Sequence, residues 1–215
     1  MRFPSLRLTA ALGAALSLVL VASCDDDGGG SLVPQRGPIT LLLTDAPGDI
    51  RQAVVTIDKI YLQPDSNYDV TAERVVLMDA PMTVDLLTLA DTTRTLVDSM
   101  MIPAGNYAQL RFVISGAYIA VEGADTASRL IYASSTTYAG LPTGTVPDGQ
   151  LVMPSWATSG LKVQLPGNAL EVMNDSTTTL LVDFDVSKSF GKAAGSGAAR
   201  WIMSPVIQAT RPTAP

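Results

Sequence analysis

Histidine is missing from all 215 residues, and cysteine occurs once, at Cys24. Without imidazole there is no histidine triad, no imidazole metal site and no general base of the commonest kind. A lone thiol excludes an intramolecular disulfide, a cysteine zinc site and an iron–sulfur cluster. Basic residues are scarce as well, 14 against 20 acidic, and they form no patch. Phosphate recognition needs clustered Lys and Arg, so nucleic acid is not expected as a partner. No Gly-rich phosphate loop follows a strand and opens a helix. Carboxylates, lysines, tyrosines and hydroxyls are left for chemistry.

The first residues read as an address. Arg2 and Arg7 give a positive start, and Leu8–Val21 is an Ala/Leu-rich apolar stretch. That stretch is short for a membrane span, which needs about 20 apolar residues. It closes on Val21-Ala22-Ser23-Cys24, a branched apolar residue and two small ones before the cysteine. This is secretory signal architecture, and the four residues resemble the lipobox of bacterial lipoproteins. The resemblance implies cleavage before Cys24, lipid on its thiol and acylation of the new amine. Several acyl chains anchor far better than one, so the expected partner is a membrane, reached through lipid.

The expected organisation is a signal peptide over 1–23, a lipidated tether over 24–37, one domain over 38–209 and a tail over 210–215. Cleavage would remove Arg2 and Arg7, leaving 12 of the 14 basic residues against 20 acidic ones. Asp25-Asp26-Asp27 and Gly28-Gly29-Gly30-Ser31 form a charged, flexible spacer. The acidic triplet resembles surface-export tags of some lipoproteins, while another sorting rule reads aspartate after the cysteine as inner-membrane retention. The expected location is the bacterial cell envelope, at the outer membrane, with the periplasmic and surface faces both open.

From Pro38 onward short runs alternate apolar and polar residues between Gly, Pro, Asn and Asp. Ile39, Leu41 and Leu43 share one parity, as do Ala108, Leu110, Phe112 and Ile114. Leu161, Val163 and Leu165 form a third set, and Leu180, Val182, Phe184 and Val186 a fourth. Period two marks half-buried strands. Parity switches once, from Val55 and Ile57 to Ile60 and Leu62. Either a bulge at Asp58-Lys59 lets both halves face one core, or the strand is buried on one side early and on the other late. Leu89–Met101 is read as extended, Thr136–Gly149 as a surface loop, and Pro205 as an edge strand or bulge. The fold expected is all-β, a single antiparallel β-sandwich of the immunoglobulin/transthyretin-like kind.

Four aspartates could ligate a hard cation such as calcium: Asp45 and Asp49 around Pro47-Gly48, and Asp183 and Asp185 flanking Phe184. The plainer readings are a turn for the first pair and an exposed or ion-paired strand face for the second, with Arg111, Lys162 or Lys188 as partners. Tyr107, entered through Pro103-Ala104-Gly105-Asn106, is expected to pack its ring and bond its hydroxyl nearby. Trp201 has core parity, whereas Trp156 is the better exposed candidate for stacking on a sugar.

Taken in order, these motifs resemble the family of unknown function numbered 4382. The motifs are Leu43-Thr44-Asp45-Ala46-Pro47, Val55-Thr56-Ile57, Asp85-Leu86-Leu87, and Pro103–Tyr107 with Arg111. Pro154-Ser155, Gly160-Leu161-Lys162, Asp183-Phe184-Asp185 with Ser189, and Pro205-Val206-Ile207 complete the set. The resemblance covers residues 38–209 and departs at Trp156, where a smaller or polar residue is expected. It implies a β-sandwich of a secreted lipoprotein and supplies no activity. The functional expectation is a non-catalytic binding or presentation domain, with no cofactor unless calcium, and a glycan or protein as partner. The alternatives are a carboxylate-based hydrolase and a purely structural envelope subunit.

Overall fold

A computed structural model describes residues 35–46, 50–65, 73–123, 128–153, 160–192 and 200–212. Cys24, Asp49 and Trp156 lie outside these residues. Strand β1 (Arg36–Ala46) buries Ile39, Leu41 and Leu43 and turns Thr40 and Leu42 the other way. Such alternation puts every second side chain on one face. Two short strands follow the long β2 (Gln52–Pro64): β3 (Val75–Met78) and β4 (Met82–Asp85). A 3-10 turn at Leu86–Leu89 then leads into β5 (Arg94–Pro103), so the segment before Pro103 is extended, as expected.

The longest strand, β6 (Gly105–Glu122), is followed by β7 (Arg129–Ala133), β8 (Gly149–Val152), β9 (Leu161–Val163) and β10 (Leu170–Val172). The chain continues as β11 (Thr178–Asp185), a helical turn at Val186–Ser189, β12 (Phe190–Lys192), β13 (Arg200–Met203) and β14 (Val206–Thr210).

These strands make a β-sandwich. The smaller sheet runs β14-β11-β1-β5, and the larger runs β12-β13-β8-β7-β6-β2-β3, with β4 also on β2 and with β9 and β10 also on β6. One continuous core draws Leu41, Leu43, Leu180 and Phe184 from the first sheet and Ile60, Leu110, Phe112 and Ile119 from the second. Most pairings are antiparallel, but β1–β11, β7–β8 and β8–β13 are parallel, so both sheets are mixed. The sequence offers no local signal for this, because parallel partners are never joined by a tight hairpin. Pro205 sits between β13 in one sheet and β14 at the border of the other, where the missing N–H breaks no ladder.

The parity switch in β2 is a paired irregularity. Val55, Ile57, Ile60 and Leu62 are all buried. The β2–β6 register skips Asp58 on one strand and Ser115 on the other, and Ser115 donates its hydroxyl to Asp58 Oδ1 at 2.7 Å. On β6 the buried set switches in step, from Leu110, Phe112 and Ile114 to Ala117, Ile119 and Val121. A bulge on each strand keeps both facing the same core.

The loop between β7 and β8 covers part of the larger sheet's outer face. Tyr138 and Leu141 pack on Val54, Tyr118 and Ala133. The Tyr138 hydroxyl lies 2.7 Å from Thr56 Oγ1, and its ring lies 6.3 Å from that of Tyr118. A Cβ at Gly116 would come within 2.4 Å of the Tyr138 ring, so the close approach requires glycine there. Among the described residues no helix is long and apolar enough to cross a membrane.

Candidate functional site

Asp45 ends the buried parity of β1 and is itself buried. Its Oδ1 accepts from Val186 N at 3.0 Å, across 141 residues of sequence. It therefore acts on the start of a distant helical turn. Beside it, the Thr44 hydroxyl reaches Leu89 O at 3.2 Å and Thr92 O at 2.9 Å. The Leu-Thr-Asp motif thus ties β1 both to the 3-10 turn and to the end of β11.

Asp185 caps that same helical turn. It accepts from Lys188 N at 3.1 Å, from the Ser187 hydroxyl, and from Lys188 Nζ at 2.6 Å. Capping satisfies N–H groups that a helix start leaves open. Ser189, fully buried, donates to Asp185 O and accepts from Val206 N at 2.9 Å. The motifs Asp183–Asp185, Ser189 and Pro205–Ile207 are therefore one clasp joining β11, the turn and β14. Of the three cations expected near this strand, Lys188 takes the pair. Arg111 instead bonds Gln109 Oε1 at 2.8 and 2.6 Å and Gly160 O at 2.9 Å.

Asp183 and Asp185 differ electrostatically although they share a strand face. Burial pushes the Asp183 carboxyl up, and the Asp185 charge adds to this, against opposing effects of Gln208 and Lys188. Its Oδ1 is buried and has no hydrogen-bond partner among the described residues. Asp185 is held down, first by the Lys188 ammonium and then by the Ser187 hydroxyl. Linkage gives the two opposite signs. Asp185 stabilises the fold above its unfolded pKa, and this is lost as pH falls through its depressed folded value. Ionised Asp183 destabilises the fold, and that penalty vanishes as pH falls through its raised value.

Asp45 pairs in register with Phe184, which faces the core, whereas Asp183 and Asp185 have the opposite parity. The sheet therefore separates the Asp45 side chain from the other two. Among the described residues no group of three metal-ligating side chains converges. Asp49, the fourth aspartate considered as a ligand, Trp156 and Cys24 fall outside the described residues.

Other motif residues are fastenings too. Asp85 accepts from Leu87 N and Ala53 N, both at 3.3 Å, and so starts the 3-10 turn while holding β2. The Tyr107 hydroxyl donates to Pro103 O at 2.6 Å across the β5–β6 corner, as expected for that tyrosine. Gly160, at φ +71°, lets its carbonyl reach Arg111, where another residue would strain the backbone. Trp201 packs against the core beside Tyr132, with ring centroids 5.9 Å apart.

Two clefts lie elsewhere, around Arg74, which the sequence patterns did not single out. One cleft of about 510 Å³ is lined by Asp58, Lys59, Tyr61, Arg74, Asp79, Pro81 and Val113. Lys59 pairs with Asp79 at 2.9 Å, and the Arg74 guanidinium sits 5.0 Å from the centre of the Tyr61 ring. A second cleft of about 460 Å³ shares Arg74 and is lined further by Pro64, Asp65, Glu73, Pro103, Ala104, Asn106 and Tyr107. The sequence signals for this region were the bulge at Asp58-Lys59 and the Pro103–Tyr107 entry. Arg74 stands in a polar stretch without period, where pattern reading has nothing to hold.

No curated protein and no solved structure matches the chain. A family model does match, over residues 36–205, from the first residue of β1 to the proline before β14. That match covers most of the chain, which belongs to the family described as Domain of unknown function (DUF4382).

Proposed function

We propose that this chain is an envelope-anchored lipoprotein whose β-sandwich binds or presents a ligand without catalysing a reaction. The observation that carries the reading is how the motif carboxylates are engaged. Asp45, Asp85 and Asp185 each accept from backbone N–H groups that start a turn. A carboxylate hydrolase needs an acid and a second carboxylate flanking one bond. Asp45 and the Asp183/Asp185 pair have opposite parity on their sheet, which argues against that pairing. The same capping roles argue against calcium at these positions, since a hard cation takes six or more oxygen ligands.

The leader ending in Val21-Ala22-Ser23-Cys24 supports lipid attachment and an envelope location, with the outer membrane as the site proposed. Fractionation of bacteria expressing the full chain tests this. The wild type should enter the membrane fraction with an N-terminal peptide that begins at Cys24 and carries acyl mass, and Cys24→Ser should lose both. A membrane-bound Cys24→Ser chain, or a wild type still beginning at Met1, would overturn the anchor.

A further inference from the structure

We infer that the groove around Arg74 binds an uncharged oligosaccharide, a conclusion that rests on the binding-domain reading and gives it a site and a ligand class. Both clefts fall within the size range of small-ligand sites, and Arg74 lines each of them. The first holds two acids, Asp58 and Asp79, and two bases, Lys59 and Arg74, so its charges cancel. It offers donors and acceptors together with no net field for an anion or a cation. Sugar hydroxyls donate and accept at once, and they can use both.

The polar groups are held before any ligand arrives. Lys59 is fixed by Asp79, Asp58 accepts from Ser115, and Arg74 rests on the Tyr61 ring. Fixed side chains lose little further entropy on binding. The adjoining cleft adds Pro64, Pro103 and Ala104, apolar surface suited to the C–H face of a sugar ring. Its Asp65 and Glu73 carboxylates further disfavour an anionic glycan. Lys59 in the first cleft and Arg74 in both oppose a basic peptide.

The test is native electrophoresis of the detergent-solubilised full chain through gels containing dextran, a soluble β-glucan or a galactomannan. Parallel gels contain carboxymethyl-dextran, and oligolysine is titrated by calorimetry. At least one neutral polysaccharide should retard the wild type, with binding about tenfold weaker in Arg74→Ala and in Lys59→Ala. Both side chains sit at the surface, so melting points of the variants should stay close to wild type and keep the comparison clean. Equal mobility of wild type and variants in every neutral gel would overturn the proposal. Retardation that survives Arg74→Ala would overturn the location. Oligolysine binding that Asp79→Ala removes, without response to any polysaccharide, would overturn the ligand class while leaving a binding domain in place.

Discussion

Replacing Phe112 with alanine is expected to lower the free energy of unfolding by about 3–5 kcal/mol. Phe112 is fully buried near the middle of β6. Its Cα partners are Ile60 on β2 and Leu161 on β9, so the strand is hydrogen-bonded along both edges there. A backbone held on both sides cannot close on the space left by the ring, and the cavity persists. Urea melts followed by fluorescence or circular dichroism measure the loss, and the slope with urea should stay unchanged. Val113→Ala, one residue on and facing the other way, should cost far less. A loss below about 1 kcal/mol for Phe112→Ala would mean that β6 is not the packed spine of the core.

Asp45→Ala should cost about 1–3 kcal/mol, because the Val186 N–H then loses a buried acceptor 141 residues away in sequence. Asp45→Asn keeps an acceptor oxygen and should cost less, which separates hydrogen bonding from charge. The same melts decide it, compared at neutral pH. A hydrolase reading makes the opposite forecast, since removing a catalytic carboxylate commonly leaves stability unchanged or raises it. Two variants with wild-type midpoints would therefore remove the capping role assigned to Asp45.

Strand periodicity made much of this fold legible. Ile39, Leu41 and Leu43, or Leu180, Val182 and Phe184, declare their buried face by position alone. Even the bulge at Asp58 was visible, because a parity switch within one strand has few physical solutions. Its partner at Ser115 was harder to see, since Gly116 and Ala117 offer little contrast in hydrophobicity. Strand direction was not legible. The parallel pairing of β1 with β11 joins the two ends of the domain and leaves no turn to read.

The site was legible only as chemistry. The sequence marks Asp45, Asp183 and Asp185 as notable carboxylates, but their use depends on partners brought from other strands. The acceptor role of Asp45 toward Val186 and the relay of Ser189 to Val206 are products of topology. Arg74 and Lys59 belong to the groove for the same reason: each is an ordinary surface cation until β2 and β3 bring them to one cleft.

The proposal that the strand-end aspartates hold no metal ion is tested most directly at Asp183. Its carboxyl is raised by burial, and one oxygen lacks a partner among the described residues. Removing that charge should help the fold. Thermal melts of the full chain in detergent, wild type against Asp183→Asn, are compared at neutral pH in millimolar calcium and in chelator. The Asp183→Asn midpoint should lie above wild type in both solutions, with the gain shrinking as pH falls through the raised Asp183 pKa. Wild-type midpoints should be equal with and without calcium. A wild-type midpoint that rises with calcium, together with an Asp183→Asn midpoint that does not, would contradict the assignment and make the strand end a cation site.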